Sequence, residues 1–157
     1  MTRTRAIDQL TRAGVPHRVL TYPADRVDGR LPYGEAVARL LGLDPRRVFK
    51  TLVARVDGEP VVAIVPADSR LSTKALARAA GGKRAELASP ADAERLTGYV
   101  TGGISPFGQR RRLPVYVDRS VMDDPVVYVS GGARGLQLQL ASPDLVGFLG
   151  ASVAPLT

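Results

Sequence analysis

The chain has 157 residues, the length of a single domain that can enclose a full hydrophobic core. It contains no cysteine, which excludes disulfides, thiol catalysis and Cys-ligated zinc. The single histidine, His17, argues against a His-rich metal site or a Ser-His-Asp triad. No apolar run approaches the roughly 20 residues of a membrane span, and no signal-peptide core is present, so a cytoplasmic location is expected.

The charge balance favours a polyanionic partner. Lys and Arg number 22 against 15 Asp and Glu, which gives a net charge of +7. Aromatic residues make up only 5% of the chain and show no paired pattern for stacking bases. Recognition of phosphates and shape is therefore expected rather than reading of a base sequence.

The first third of the chain alternates helical and extended patterns. Apolar spacing predicts a helix over 3–13, a strand over 15–22, a polar loop over 23–32 and a helix over 34–41. His17 lies in the predicted strand, where a surface or packing role is expected.

A hairpin is the strongest local signal of the chain. Apolar runs over 48–56 and 61–65 flank Asp57-Gly58, the dipeptide that suits a two-residue hairpin turn. Lys50 interrupts the first run between Phe49 and Thr51. A lone lysine there indicates a sheet edge, a snorkelling side chain or the wall of a pocket.

The remaining elements complete an α/β pattern. Further helices are predicted over 72–80, 89–98 and 142–149, with Ser72, Ser89 and Ser142 as caps, and strands over 115–118, 126–130, 136–140 and 152–154. About seven strands and five helices result, interleaved without repeats or linkers. We expect residues 1–157 to form one α/β domain with a mixed β-sheet, curled towards a barrel.

A glycine-rich loop over 101–109 is the strongest candidate for a functional segment. It offers the backbone N–H groups of Gly102, Gly103 and Ile104 and the Ser105 hydroxyl, ahead of three arginines at 110–112. Such a loop could hold a carbonyl oxyanion or a phosphate. Taken alone, it also fits a Gly-Pro turn with a solvated basic flank. A second glycine turn follows at 131–135.

Several motifs in this order resemble the YbaK family. They are Phe49-Lys50-Thr51-Leu52, Gly102-Gly103-Ile104-Ser105-Pro106 with Gly108-Gln109, and Val129-Ser130-Gly131-Gly132 with Arg134-Gly135-Leu136, preceded by Tyr22 and Gly34-Glu35-Ala36. That family comprises freestanding trans-editing deacylases related to the editing domain of bacterial prolyl-tRNA synthetases. The resemblance extends over residues 5–154.

The resemblance implies hydrolysis of a wrongly charged aminoacyl ester on tRNA, most typically Cys-tRNA(Pro). It implies a catalytic role for Lys50 and for the amides of residues 102–104. The implied substrate-binding residues are Tyr22, Thr51, Ser105, Pro106, Ser130, Gly131 and Gly132. Arg110, Arg111, Arg112 and Arg134 are expected to contact tRNA phosphates. Several relatives carry histidines where this chain has Leu20 and Ala24, so the resemblance assigns no role to the loop 23–32.

The chemistry expected of these residues needs no strong base. An aminoacyl ester is already activated, and preorganised N–H donors stabilise its tetrahedral intermediate by about 3–4 kcal/mol each. For cysteine, the resemblance implies that the substrate thiol attacks its own ester carbonyl. Lys50 is expected to bind the phosphate of the terminal adenosine or to offset the developing charge.

Alternatives stay open at this point. One is a deacylase for another tRNA, such as Ala-tRNA(Pro), and another is a non-catalytic module that binds tRNA or a synthetase. A metal-dependent hydrolase is disfavoured by the single histidine and the lack of cysteine. The expected partners are the acceptor end of mischarged tRNA and prolyl-tRNA synthetase, without a cofactor, metal or membrane.

Overall fold

The computed structural model describes residues 3–157 and shows five α-helices and eight β-strands in that range. The helices are α1 Arg5–Arg12, α2 Tyr33–Leu41, α3 Thr73–Ala79, α4 Pro90–Thr97 and α5 Ser142–Leu149. The strands are β1 Arg18–Thr21, β2 Phe49–Val56, β3 Glu59–Pro66, β4 Ala85–Leu87, β5 Val115–Asp118, β6 Val126–Ser130, β7 Leu136–Ala141 and β8 Ser152–Ala154. No helix within residues 3–157 combines the length and apolar character that crossing a membrane requires.

The strands form two open sheets. One has the order β4-β2-β3-β5-β8 and mixes antiparallel with parallel pairs, and the other is antiparallel in the order β1-β7-β6. The prediction of an α/β domain with mixed pairing is confirmed, but that of one curled, barrel-like sheet is wrong. An isolated bridge between Val48 and Tyr128 is where the two sheets meet. The strand absent from the prediction is β4, whose three residues carry too short a pattern to be recognised.

The largest core lies between the facing sides of the two sheets. It includes Phe49 and Val53 of β2, Val127 and Val129 of β6, and side chains from α1, α4 and α5. The opposite face of the larger sheet packs against α3 and Leu156. Helix α2 covers a third cluster around Val48 and Tyr128, beside the junction of the sheets.

Local signals account for most element boundaries. The hydroxyls of Ser72 and Ser89 accept N–H groups of the first turns of α3 and α4, as predicted. Asp57 and Gly58 both have positive φ and close the β2–β3 hairpin. The prediction that Ser142 caps α5 is wrong, because its hydroxyl donates to the Asp124 carbonyl and the helix begins at Ser142 itself.

Candidate active site

A cleft of about 310 Å³ runs along the open edge of β2. On that edge, β4 pairs only with residues 54–56, and the bridge to β6 involves only Val48. Between these contacts, Lys50 and Thr51 have β3 on one side and no strand on the other. The cleft is lined by Pro32, Tyr33, Gly34, Val37, Val48, Phe49, Lys50, Thr51, Leu52, Val53, Leu87, Ala88, Pro90, Ala93, Thr101, Gly102, Ile104, Ser130 and Gln137.

Lys50 lies on the side of the cleft that faces α2. Its side chain points to the same side as that of Val48, two residues earlier in the chain, which packs against that helix. Burial lowers the pKa of Lys50 below its usual value of 10.5, and the carboxylates of Glu35 and Asp68 partly oppose the shift. None of the ion pairs within residues 3–157 involves Lys50. Its ammonium group is therefore half-buried without a partner of its own.

Thr51 faces the opposite, largely apolar side of the cleft. It lies on the same face of β2 as Phe49 and Val53, whose side chains enter the main core. Thr51 is only 8% exposed, and its Oγ1 has no hydrogen-bond partner among the described residues. A buried unpaired hydroxyl costs stability, and packing alone does not account for it.

The glycine loop contributes its first half to the cleft. Thr101, Gly102 and Ile104 line the cavity, whereas the N–H of Gly103 donates to the Val100 carbonyl at 2.9 Å. Gly103 therefore lacks the free donor expected from the sequence. The N–H groups of Gly102 and Ile104 have no acceptor within the described part of the chain, which leaves two donors at the cavity wall.

The second glycine turn, residues 131–135, packs against the first glycine loop and contributes no residue to the cleft lining. A Cβ atom on Gly103 would lie 2.9 Å from Ala133 Cα, so the two backbones pack directly against each other. Ser130 lines the cleft, and its Oγ accepts the Gly132 N–H at 3.2 Å. Gly131 and Gly132 lie outside the lining, with Gly132 packed against Thr4 and Tyr99.

Two tyrosines and an arginine connect the walls of the cleft. The hydroxyls of Tyr22 and Tyr33 are 2.8 Å apart, and only Tyr33 lines the cavity. Burial and this hydrogen bond raise the pKa of Tyr33, which keeps its hydroxyl protonated. Arg134 places its Cζ atom 5.7 Å from the centre of the Tyr33 ring, and its Nε donates to the Thr101 carbonyl at 3.0 Å.

The second half of the glycine loop packs away from the cavity. Ser105 and Pro106 are buried outside the lining, and the Ser105 hydroxyl accepts the Phe107 N–H. The predicted phosphate ligands Arg110, Arg111 and Arg112 are exposed and also lie outside it. Nowhere in residues 3–157 do three His, Cys, Asp or Glu side chains group as metal ligands would.

Sequence reasoning missed several residues of the cleft. Tyr33 and Gln137 are polar residues that line it, and for Gln137 the sequence predicts only a place in the strand over 136–140. Leu87, Ala88, Pro90 and Ala93 form its apolar end. Pro90 and Ala93 belong to a helix whose start was predicted, but nothing local indicates that this helix faces β2.

The family model for the aminoacyl-tRNA editing domain matches residues 33–148, which include both halves of the cleft. The chain belongs to the aminoacyl-tRNA editing domain family. The predicted resemblance is thereby confirmed, because the matched range contains Lys50, both glycine segments and the β2 edge.

Two proteins of similar sequence have names that describe aminoacyl-tRNA deacylases. The chain is 37% identical over 124 residues to an Enterococcus faecalis protein named "Putative Cys-tRNA(Pro)/Cys-tRNA(Cys) deacylase EbsC", covering 78% of this chain and 76% of the relative. It is 32% identical over 161 residues to the "Multifunctional Ser/Thr-tRNA deacylase ProXp-y" of Escherichia coli K12, covering 94% and 93%. A crystal structure of a "putative trans-editing enzyme for prolyl tRNA synthetase" superposes with a TM-score of 0.85 at 26% identity, covering 98% and 94%.

Proposed function

We propose that this protein is a trans-editing aminoacyl-tRNA deacylase that cleaves the ester of Cys-tRNA(Pro) in the β2 cleft. One observation carries the proposal: Lys50, Thr51 and the loop residues Gly102 and Ile104, whose N–H groups are unpaired, line one small cavity. Membership of the editing-domain family and the deacylase names of EbsC and ProXp-y support an enzyme of this class.

The size of the cleft suits an aminoacyl group. Its volume of about 310 Å³ is at the lower end of the range for ligand pockets, roughly 300–1,000 Å³. The amino acid and its ester therefore occupy the cavity, and the bulk of the tRNA stays outside. The N–H groups of Gly102 and Ile104 hold the carbonyl oxygen as charge develops on it, and Lys50 adds a positive charge from the α2 side.

The attacking group is supplied by the substrate. The cysteine thiol adds to its own ester carbonyl, so that an S–C bond forms and the bond from carbon to the ribose oxygen breaks. The thiol proton ends on the released ribose hydroxyl, and water later opens the cyclic thioester. The cavity has only to fold the substrate and stabilise the tetrahedral intermediate, which fits a site without a nucleophile and base.

A basic surface behind the glycine loop is proposed to meet the acceptor arm. A Cβ atom on Gly98 would lie 3.5 Å from Arg5 Nη1 and 3.4 Å from Arg110 Cβ, so these two arginines converge there. Arg111 and Arg112 continue the exposed basic run. Prolyl-tRNA synthetase is proposed as a partner that supplies tRNA selectivity, acting with this protein in the cytoplasm.

A deacylation panel tests the activity. Single-turnover rates are measured on Cys-, Ser- and Ala-tRNA(Pro), with EDTA present, for the wild type and for Lys50→Ala. We expect Cys-tRNA to react fastest and Lys50→Ala to lose about 100-fold in rate. Lys74→Ala is the matched control, because Lys74 is exposed on α3.

Each outcome of the panel has a distinct meaning. Binding of tRNA without turnover of any substrate would favour the non-catalytic module. Equal rates on Cys- and Ser-tRNA would contradict attack by the substrate thiol. Fastest turnover of Ser-tRNA would place the chain with its relative ProXp-y in specificity.

The basic surface is tested separately through salt dependence. The double variant Arg110→Ala, Arg111→Ala should reduce the slope of log affinity against log salt by about 0.7–0.9 for each lost phosphate contact. Arg78→Ala on the exposed face of α3 serves as the control. An unchanged slope in the double variant would reject the phosphate role.

A further inference from the structure

Arg134 holds the glycine loop from the side of the second glycine turn. Its Nε donates to the Thr101 carbonyl at 3.0 Å, and its guanidinium packs on the ring of Tyr33. The side chain thus touches two walls of the cleft, the loop on one side and the start of α2 on the other. Arg134 is therefore already hydrogen-bonded within the protein, unlike an arginine whose guanidinium is free to bind a phosphate.

The Thr101 residue is fixed from both ends. Its N–H donates to Glu94 Oε2 at 2.7 Å and its hydroxyl donates to the same oxygen at 2.9 Å, while Arg134 binds its carbonyl. Glu94 belongs to α4, a helix anchored in the main core. The direction of the backbone after Thr101 is therefore fixed, and the unpaired N–H groups of Gly102 and Ile104 lie in the next three residues of the loop.

Gly102 makes room for this arginine. A Cβ atom on Gly102 would lie 2.7 Å from Arg134 Nε, and the residue has a φ of +88°. A glycine at this position thus serves the approach of the guanidinium as well as the turn. The same turn that carries Arg134 accepts the Tyr22 N–H through the Gly135 carbonyl, so it also holds the end of β1.

We propose that Arg134 is a positioning residue that sets the direction of the Gly102 and Ile104 amides, rather than a ligand for tRNA phosphate. This inference rests on the proposed deacylation. Loss of its side chain leaves the cavity lined by the same residues but removes the hydrogen bond to the Thr101 carbonyl. The N–H groups of Gly102 and Ile104 then no longer point towards the ester oxygen. Small misplacements of catalytic groups cost much of the rate.

Kinetics with Arg134→Ala and Arg134→Lys distinguish positioning from phosphate binding. For Arg134→Ala we expect kcat to fall about 10- to 100-fold with KM and the salt slope unchanged. Lysine keeps the positive charge but has neither the planar guanidinium nor its Nε–H donor, so kcat should remain low in Arg134→Lys. Restored kcat in Arg134→Lys, or a salt slope reduced by about 0.7–0.9 in Arg134→Ala, would overturn the proposal.

Hydrogen exchange tests the same inference without relying on turnover. The hydrogen-bonded amides of Thr101 and Gly103 should exchange faster in Arg134→Ala than in the wild type, and at the wild-type rate in Arg78→Ala. If the wild type deacylates no tRNA, the proposed function fails while this measurement still applies. Unchanged exchange over 101–104 in Arg134→Ala would refute the positioning role on its own.

Discussion

The contact between the two glycine segments can be tested with a single methyl group at Gly103. Its φ is not in the left-handed region, so alanine meets no backbone strain there. The added Cβ would instead lie 2.9 Å from Ala133 Cα and 3.0 Å from the Arg134 nitrogen. Both are backbone atoms, which cannot rotate away as the end of a side chain would.

The size of the disturbance follows from these distances. Ordinary contact for a Cβ atom begins at 3.4 Å, so the loop and the turn must separate by about 0.5 Å. Overpacking of this kind costs about 1–3 kcal/mol of unfolding free energy. Because Gly102 and Ile104 flank the displaced residue, we expect kcat to fall about 10- to 100-fold as their amides shift.

Two measurements on Gly103→Ala decide the matter: single-turnover deacylation and urea unfolding. Gly29→Ala is the matched control, because its Cβ would meet nothing within 4 Å and its φ lies outside the left-handed region. A variant that unfolds earlier but keeps its full kcat would show that the spacing of the segments does not aim the amides. Wild-type behaviour in both assays would refute the close packing itself.

Two further predictions concern Thr51 and Lys50, and urea unfolding tests both of them. Thr51→Val keeps the shape of a buried side chain but removes its unpaired hydroxyl. We expect kcat/KM to fall about tenfold, while urea unfolding shows equal or greater stability. Unchanged kinetics would contradict a contact between Thr51 and the substrate. Lys50 has a folded-state pKa below its unfolded value of 10.5, so the unfolded chain binds its proton more tightly and stability rises with pH through that window. Lys50→Met should therefore unfold at higher urea than the wild type at pH 7, with the difference narrowing towards pH 10.5, whereas Lys74→Met should show no such trend.

The elements that the sequence predicted correctly are those with local causes. Ser72 and Ser89 bond their own helices within three residues, and Asp57-Gly58 closes its hairpin without help from the rest of the fold. The family motifs also indicated that Lys50 and the glycine loop belong together. Such signals depend on neighbours in the chain, and a single sequence contains them.

The cleft itself depends on distances that no local pattern carries. It exists because β4 stops pairing at Ala54 and because the backbone bridge to β6 is limited to Val48. Both limits arise from how two sheets meet in space. The same applies to Gly103, whose N–H is used by the Val100 carbonyl, and to Arg134, which reaches 33 residues back to Thr101.

The glycines of this site do not by themselves indicate an oxyanion hole. Gly103 is explained by its packing on Ala133, and Gly102 by its positive φ and the approach of Arg134. What packing leaves unexplained is a different set of groups: the unpaired amides of Gly102 and Ile104, the unpaired Thr51 hydroxyl and the half-buried Lys50. The buried Thr51 hydroxyl and the half-buried Lys50 ammonium both cost stability in the free protein. All of these groups belong to residues that line one cavity, the cavity in which we propose that the ester with its developing negative charge is bound.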